Sequence, residues 1–541
     1  MRGRGGVDLY SSTQLQKEKS KEALFTRLIV TYEGEPFPID DVAVTIEKNV
    51  NEHTKATIKG RAKQDVLDKL VLTTSTNTNL ECVYEQGKDK LLLFSGIIVS
   101  MEAETEGIEA NAVHYLVIEA LSYTYVLDIE YKTRSFQDVN MTYDCLLDTV
   151  LREYSGSDCV NVAARGETLN GLTMQYQETD WEFLKRMASR FYTPLIANHT
   201  FKSPKFSLGM QPGSTVTKLE NVKYKAIKKV DTYRSNSHNY RSGINESDYL
   251  YYEVTTAGTD TKSLEIGDTV LYKGSTYYVY SAQAAVKHHV LSHTYRLSTK
   301  NGFFVPPIFN EAITGLTIQG TVIKVSRNLL KVRLDIDPAQ SVETACWFKY
   351  STFYATWYCM PEIGDRVNVH FATRDEADAV VINSIKHASS GGFQRKSPET
   401  GVSQVGSAKA AASVTEMPAA AAAEGASVKK SNFDFEALAA DNKVKMIVTA
   451  GGKMIILDDN SSSVSIVCND NTYVRLTDGN GLSIVTDMDV TFESKADINF
   501  TAEEMIFMKA KEKIALECGD SLLELTPEEI KVKGTDIKMN Q

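Results

Sequence analysis

The sequence predicts a mainly β protein with a few helices. Two small β-barrels with intervening helices precede an OB-like barrel and a C-terminal trimeric intertwined β-helix, or β-prism. Short apolar, β-branched runs recur through residues 23–131, 201–305 and 311–386. The alanine- and serine-rich stretch 387–442 has the composition of a linker. From residue 443 to 541, apolar side chains return at every second position across many turns, which is the period of a β-strand.

Length and composition predict several packed domains. The chain has 541 residues, of which 42% are hydrophobic. It has no run of eighteen apolar residues, and no apolar stretch follows Arg2 and Arg4, so neither a membrane span nor a secretory signal is expected. Its seven cysteines are odd in number and form no CxxC pair, which argues against a disulfide framework and against a zinc site.

The charge of the chain bears on its partners. A net charge of −11 disfavours nucleic acid, because phosphate binding requires clustered lysine and arginine. Residues 443–541 carry seventeen acidic and eleven basic side chains, a net charge of −6. We interpret this excess as a solvated outer face that keeps a long β surface soluble.

The N-terminal part is predicted to be a loose arm followed by a barrel and helices. Residues 1–22 are polar and glycine-containing, which predicts a flexible arm. The first barrel, 23–131, includes a helix near Ala62–Leu70. Its strand-like runs are Leu24–Val30, Val42–Ile46, Leu91–Val99 and Tyr115–Ile118. In the helical middle, 132–200, a helix over 143–154 places four apolar residues on one face.

The most informative local motif spans residues 175–184. Thr179 followed three residues later by Glu182 forms a capping box, and Asp180 adds negative charge at the positive end of the helix. A buried helix is predicted to follow, with the apolar residues Phe183, Met187 and Phe191. The functional alternative is an acid/base role for Asp180 and Glu182, which requires a cleft around both carboxylates. Capping is the favoured interpretation.

Strands return over 201–305, the second barrel, where three histidines raise the question of a metal site. His288 and His289 are adjacent, so in a strand they point to opposite faces, and only a helix would align His289 with His293. Their apolar flanks favour a strand, so no metal site is predicted. No catalytic or cofactor-binding motif occurs in a suitable context, and the sequence predicts neither an active site nor a cofactor.

Residues 311–386 contain five short strand-like runs, which predict an OB-like barrel. Pro306 and Pro307 mark its start. Aromatic residues cluster between Trp347 and Tyr358. Such a cluster can stack on nucleic-acid bases or on glycan, but no basic belt accompanies it, so we interpret these aromatics as core and interface residues.

The C-terminal apolar row predicts the oligomeric state. A single chain folded this way has one apolar row per strand and two open edges, which is not stable alone. Three chains wound round one axis close the edges and enclose the even-numbered apolar residues. The predicted needle core consists of Val464, Ile466, Leu482, Ile484, Val490, Phe492, Ile498, Phe500, Ile514 and Leu516.

Three motifs in one order resemble the VgrG family, the hub and spike proteins of type VI secretion, related contractile injection systems and phage tails. They are the capping element, the run 360–367 that closes the OB-like barrel, and the run 453–459 that opens the period-two rod. The likeness covers nearly the whole chain from about residue 22. The capping element is the most specific of the three, and its residues are Tyr176, Gln177, Glu178, Thr179, Asp180, Trp181 and Glu182.

The resemblance implies a homotrimer with a tail hub at 23–310, a neck at 311–386 and a needle at 443–541. Such a trimer would cap a hexameric tube protein, contact baseplate components and puncture a target envelope to deliver separate effector cargo. Ile537 and Met539 would form the docking surface for a PAAR-like tip protein. Without a signal peptide, assembly is expected in the bacterial cytoplasm, with export or delivery on sheath contraction.

Two other interpretations stay open from the sequence. A trimeric tailspike or glycan-binding adhesin would need acidic residues grouped with aromatics on an outer groove. Asp487, Asp489 and Asp497 instead alternate along the chain with few aromatic neighbours, which suits solubility better. A phage baseplate hub is the third interpretation, and it differs from a secretion spike in the machine that it serves.

Overall fold

The computed structural model describes residues 26–76, 78–86, 89–107, 112–213, 215–220, 222–240, 243–257, 263–352, 357–385, 433–441, 443–449 and 451–538. These residues are mainly β, with five α-helices and five short 3₁₀ turns, which confirms the predicted fold class. The predicted N-terminal arm, 1–22, and the residues 387–432 of the predicted linker lie outside the described residues.

One sheet of thirteen strands dominates the first part of the chain. Its N-terminal strands are β1 (Thr26–Tyr32), β2 (Glu35–Pro36), β3 (Asp40–Lys48), β4 (Lys55–Arg61), β5 (Asn79–Gln86), β6 (Asp89–Glu106) and β7 (Val113–Ser122). Its later strands are β13 (Val216–Lys218), β14 (Lys223–Lys228), β15 (Leu250–Ala257), β16 (Thr269–Tyr272), β17 (Ser275–Lys287) and β18 (Val290–Ser298). The spatial order is β14-β15-β18-β17-β3-β4-β7-β6-β5-β1-β2, and β16 joins β13 to β17.

Pairing of β3 with β17 joins the two predicted barrel segments into this continuous sheet. Val44 lies opposite Val286, and Ile46 lies opposite Ala284. All four are buried in a core that also contains Leu67 of helix α1 (Gln64–Thr73). The later strands enclose a second core of their own, built on Val254, Val270, Val279, Tyr295 and Leu297. The sheet therefore surrounds one hydrophobic core in each segment.

A region of helices and short strands lies between the two segments in sequence. Its elements are β8 (Lys132–Phe136), α2 (Tyr143–Leu151), β9 (Asp158–Asn161), β10 (Thr173–Glu178), α3 (Asp180–Ser189), β11 (Leu195–Ala197) and β12 (Lys205–Leu208). Helix α2 begins where the Thr142 hydroxyl accepts a hydrogen bond from the Cys145 amide at 3.2 Å. The apolar faces of α2 and α3 share one core. A further helix, α4 (Val230–Asn239), buries only Asn236.

Five strands after residue 316 close a barrel in the order β19-β20-β21-β24-β23. The strands of this part are β19 (Thr317–Ser326), β20 (Leu329–Leu334), β21 (Trp347–Tyr350), β22 (Trp357–Tyr358), β23 (Arg366–Phe371) and β24 (Ala379–Ile385). Gly320 permits the close packing of β19 on β20, because a Cβ there would lie 2.5 Å from Val332 Cγ1. The closed five-stranded barrel confirms the prediction of an OB-like barrel.

The C-terminal part consists of a short helix and two antiparallel sheets. Its elements are α5 (Phe435–Ala439), β25 (Val444–Val448), β26 (Met454–Asp458), β27 (Ser463–Asn469), β28 (Thr472–Thr477), β29 (Gly481–Val485), β30 (Ile514–Cys518), β31 (Ser521–Leu525) and β32 (Ile530–Lys533). Strand β22 pairs with β25, so a six-stranded sheet, β22-β25-β26-β27-β28-β29, connects directly to the barrel region. Strands β30, β31 and β32 form a separate sheet.

The sequence predicts that the inward-facing apolar residues of this part all have even numbers. The structure differs, because odd-numbered residues of some strands face even-numbered residues of their neighbours. Ile455 pairs with Ile466, and Leu457 pairs with Val464, so odd residues of β26 share a face with even residues of β27. The cause is the loop between the paired residues Asp458 and Ser463, because a connection with an even number of residues reverses the parity of the facing side chains. The two-residue turn between β30 and β31 has the same effect.

Candidate assembly surface

The capping element forms the start of helix α3, where β10 ends. The Thr179 hydroxyl accepts a hydrogen bond from the Glu182 amide, and the Glu182 carboxylate accepts one from the Thr179 amide, each at 3.1 Å. This is the reciprocal capping box that the sequence predicts. The Thr179 hydroxyl also donates to Asp128, at the end of a 3₁₀ turn. The start of α3 is therefore fixed both by the capping box within the helix and by the contact of Thr179 with Asp128.

Asp180 is fully buried and is surrounded by cationic and hydroxyl donors. Its carboxylate accepts from Lys132 Nζ, Arg134 Nη2 and the Tyr154 hydroxyl, each at 2.7 Å, and from Gln175 Nε2 at 3.0 Å. Burial, and next the hydrogen bond to Asp180, raise the pKa of Tyr154 to about 12. Asp180 thus has a structural role in joining β8, β10 and α3, and its carboxylate faces no open cleft.

Glu178 and Arg186 connect this element to the barrel. Arg186 Nε and Nη2 each donate to the Glu178 carboxylate at 2.8 Å, and Nη1 donates to Glu376 Oε1 at 2.6 Å. Burial lowers the pKa of Arg186, but the hydrogen bond to Glu178 and the charge of Glu376 outweigh it, so the net shift is upward. Because Glu376 lies in the turn before β24, this buried ion pair fixes the barrel against α3.

The remaining residues of the element also make structural contacts. Trp181 is buried, and its Nε1 donates to the Asn51 carbonyl oxygen at 3.3 Å. Tyr176 packs against the core of the barrel, and its carbonyl oxygen accepts from Asn310 Nδ2 at 2.7 Å. Gln177 has a positive φ of 50° and occupies a β-bulge between β10 and β8. The element therefore brings the first sheet, the helical region and the barrel together.

One polar network in this region was not found from the sequence. His53 Nδ1 lies 2.8 Å from Thr124 Oγ1, and His53 Nε2 lies 3.2 Å from Asp128 Oδ2. The ring of His53 also packs on Trp181, with centroids 4.6 Å apart. Although the order of hydroxyl, imidazole and carboxylate is that of a catalytic triad, Thr124 is fully buried and cannot reach a substrate. The network supports the start of α3.

The three histidines considered as metal ligands, His288, His289 and His293, occupy different kinds of position. His288 and His289 form the two-residue turn between β17 and β18, both with positive φ, rather than strand positions. His293 lies in β18 and is buried, and its ring stacks on Tyr295. Within the residues that the structure describes, no group of three or more histidine, cysteine or acidic residues could hold a metal ion.

The aromatic cluster of residues 347–358 is divided between two contacts. Trp347 is half exposed and lies under Lys331 Nζ, which is 5.2 Å from its ring centroid. Trp357 and Tyr358 pair with Ile447 and Met446 in the six-stranded sheet. Residues 353–356 lie outside the described part of the chain. The described aromatics therefore belong to the barrel and to its junction with the C-terminal sheet.

The six-stranded sheet has one covered face and one open face. Phe433 and Ala439 pack on Met446, Ile456 and Val467 and cover the first face over strands β25, β26 and β27. The opposite face exposes a set of large apolar residues that we call the open face: Ile447, Ile455, Leu457, Val464, Ile466, Leu476, Leu482 and Ile484. They form two cross-strand rows, because each residue lies opposite an apolar residue of the next strand.

The segment 486–513 continues the open face without pairing. It forms neither a helix nor a ladder with another strand among the described residues. Its chain bends at 487–488, 495–496, 503–504 and 511–512, which are eight residues apart. Phe492 and Phe500, also eight apart, contact each other edge to face with ring centroids separated by 6.4 Å. Phe492 and Phe500 therefore lie on the same side of the segment.

The residues predicted as needle core are accessible in the single chain, except that Ile514 is partly buried. Leu482 is 60% exposed and Phe500 63% exposed. Ile514 and Leu516 share one face of the terminal sheet with Leu523 and Leu525, which lie opposite them in β31. In the predicted docking surface for a tip protein, Ile537 is exposed, and Met539 lies outside the described residues.

Comparisons with solved structures found several similar chains. The chain is similar to the Escherichia coli c3393 protein, with a TM-score of 0.47 at 12% sequence identity. The match covers 66% of this chain and 99% of that one. The c3393 protein is described as a component of the type VI secretion system with structural similarity to the T4 bacteriophage tail proteins gp27 and gp5. It is similar to a chain of the Francisella PdpA–VgrG complex, with a TM-score of 0.45 at 10% identity over 88% and 91%. It is also similar to the 43 kDa tail protein of prophage MuSo2 from Shewanella oneidensis, with a TM-score of 0.40 at 12% identity over 52% and 99%.

The other two comparisons found no relatives. No protein-family model matches the chain, and no curated protein matches it. Among the described helices, none has the length and apolar content needed to cross a membrane.

Proposed function

We propose that this protein is the homotrimeric hub and spike of a contractile injection machine of the phage-tail type. The observation that carries the proposal is the open face together with the unpaired segment 486–513. A single chain leaves these large apolar side chains in water, and monomeric proteins rarely expose so extensive an apolar surface. Three chains round one axis enclose the open face and supply strand partners to the segment.

The proposed shaft suits a mechanical task. Strands contributed by three chains share one interior, so no chain can unfold while the other two stay folded, and axial force is distributed over all three. The buried pair of Arg186 and Glu376 and the pairing of β22 with β25 carry that force from the first sheet through the barrel to the shaft. We infer a mechanical role rather than catalysis, because Asp180 is engaged in buried ion pairs with Lys132 and Arg134 and the Glu182 carboxylate accepts a hydrogen bond in the capping box.

Substitutions on the two faces of one strand test the trimer. Leu482 lies on the open face, and Ser483, its neighbour in β29, points to the other face opposite Arg475. Leu482→Asp is expected to place three carboxylates in the shared core and to convert the trimer into monomers. Ser483→Asp is the matched control and should leave the trimer intact. Equal masses for the two variants would contradict the proposal.

The finer parts of the proposal concern the partners. The trimer would cap a hexameric tube protein with residues 23–310, contact the baseplate, and deliver separate effector cargo when it punctures a target envelope. It would be assembled in the bacterial cytoplasm and exported on sheath contraction. The docking site for a PAAR-like tip protein would include the exposed Ile537. Deletion of residues 535–541 should abolish co-purification with such a tip protein, and undiminished binding would contradict this assignment.

A further inference from the structure

The odd-numbered side chains change character within the segment 503–517. Between residues 487 and 501 they are all polar or charged: Asp487, Asp489, Thr491, Glu493, Lys495, Asp497, Asn499 and Thr501. Met505 and Phe507 interrupt this series, and three lysines follow them in the same phase. We call these residues the belt: Met505, Phe507, Lys509, Lys511 and Lys513. The belt thus differs from the preceding odd-numbered positions, because it combines two large apolar residues with three lysines in a part of the chain where acidic residues outnumber basic ones.

The belt lies on the opposite side of the chain from the proposed core. In an extended chain, alternate side chains point to opposite faces, so Met505 and Phe507 lie opposite Ile506 and Met508. The contact between Phe492 and Phe500 places these two residues, eight apart, on one side. Because the bends also recur every eight residues, Met508 takes the equivalent position on that side in the next repeat. This step rests on the proposed function, because a trimer that encloses that side of the segment leaves the belt on the outside of the shaft.

The belt has no cover in the described residues. Met505 is 73% exposed and Phe507 76% exposed. In the described part of the chain, no carboxylate forms an ion pair with Lys509 or Lys511, whereas Lys513 Nζ lies 3.4 Å from Glu524 Oε2. A trimer would carry this arrangement three times at one height on the shaft. Large outward apolar side chains on an otherwise polar shaft mark a surface that contacts a partner.

We propose that the belt binds the surface of an anionic phospholipid bilayer. Met505 and Phe507 can enter the boundary between headgroups and acyl chains, while the lysine ammonium groups stay among the phosphates. The cationic charge of the belt complements anionic headgroups. A bilayer also suits the geometry, because it can surround a threefold shaft on every side.

Vesicle sedimentation of the full-length protein tests the belt. The protein should sediment with vesicles of equal parts phosphatidylcholine and phosphatidylglycerol, and much less with pure phosphatidylcholine. Met505→Ser with Phe507→Ser, and separately Lys509→Glu with Lys511→Glu, should each reduce the bound fraction by about tenfold or more. Thr491→Ser with Asn499→Ser is the control in the same phase and should bind as the unmodified protein does.

The mass in solution of the unmodified protein and of each variant shows whether a loss of vesicle binding occurs in an intact trimer. Belt variants that remain trimers and lose vesicle binding would support the proposal. It is overturned if the unmodified trimer fails to bind the anionic vesicles, if it binds neutral vesicles equally well, or if the belt variants bind undiminished. Belt variants that dissociate into monomers would place Met505 and Phe507 in the core and also overturn it. A monomeric unmodified protein would instead refute the proposed function.

Discussion

Arg186 Nη1 donates to Glu376 Oε1 over 2.6 Å, and both side chains are buried where helix α3 meets the five-stranded barrel. The same guanidinium binds Glu178 through two further hydrogen bonds and the Met174 carbonyl oxygen through another. One guanidinium thus binds two buried carboxylates from distant parts of the sequence, and Arg190 Nη2 also lies 3.4 Å from Glu376 Oε2. These hydrogen bonds fix the position of helix α3 relative to the barrel.

Arg186→Ala should strongly destabilise this junction. The substitution leaves Glu178 and Glu376 buried without their shared cation, a change that costs about 3–5 kcal/mol in other proteins. Urea unfolding of the full-length protein, followed by fluorescence, measures the loss. Arg374→Ala is the matched control, because its ion pair with Glu311 is exposed and is worth about 0–1 kcal/mol. Equal losses of unfolding free energy in the two variants would show that the buried ion pair stabilises the protein no more than the exposed one does.

Thr179→Ala should destabilise the start of helix α3. It removes the acceptor for the Glu182 amide and the contact with Asp128, and loss of such a cap costs about 1–2 kcal/mol. Thr179→Ser keeps the hydroxyl and should restore most of the stability. Thermal unfolding monitored by circular dichroism gives the comparison. If serine performed no better than alanine, hydrogen bonding by this hydroxyl would not be the cause.

Stability should decrease below pH 6.5 because of His293. Burial, and next the charge of Lys48, lower the pKa of His293 to about 4, and Glu265 opposes this shift. Burial also lowers the pKa of neighbouring His199. An unfolded histidine binds a proton near pH 6.5, so between about pH 6.5 and 4 the unfolded state binds more protons than the folded state. Stability therefore falls as the pH is lowered through this window.

Urea unfolding at pH 7 and pH 5 isolates the contribution of His293. His293→Gln should reduce the difference between the two pH values by about 2 kcal/mol, because the substituted residue does not titrate. His238→Gln, at the exposed end of α4, should leave the difference unchanged. An unaltered pH difference in His293→Gln would rule out this histidine as the source.

The cysteines should react in two groups. Burial raises the pKa of Cys82 and of Cys346 to about 12, and thiolates are the reactive form. Cys145 and Cys359 are exposed. Iodoacetamide labelling of the native protein, read by mass spectrometry, should modify Cys145 and Cys359 within minutes and the buried pair only after denaturation. Rapid native labelling of Cys82 would contradict the packing of the first core.

Short-range features were predictable from the sequence. The spacing of Thr179 and Glu182 predicts the capping box, because both partners lie within one turn of the chain. The partners of Asp180 were not predictable, since Lys132 and Arg134 precede it by 48 and 46 residues. The sequence instead raised an acid/base alternative for Asp180 and Glu182, and only the fold shows that both carboxylates are engaged.

Sheet topology was also beyond the reach of local patterns. Two separate runs predict strands over 23–131 and 201–305, but the pairing of β3 with β17 depends on contacts across more than two hundred residues. The parity of the C-terminal rows depends on loop length, which a period-two pattern does not contain. The apolar flanks of His288 and His289 predict a strand, but these two residues form the turn between β17 and β18.

The mass of the full-length protein in solution tests the central claim most directly. One chain has a mass of 60.0 kDa, and light scattering coupled to size-exclusion chromatography distinguishes one copy from three. We predict about 180 kDa, because a single chain leaves the open face exposed and, among the described residues, no strand pairs with the segment 486–513. A mass near 60 kDa for a folded protein would contradict the spike assignment.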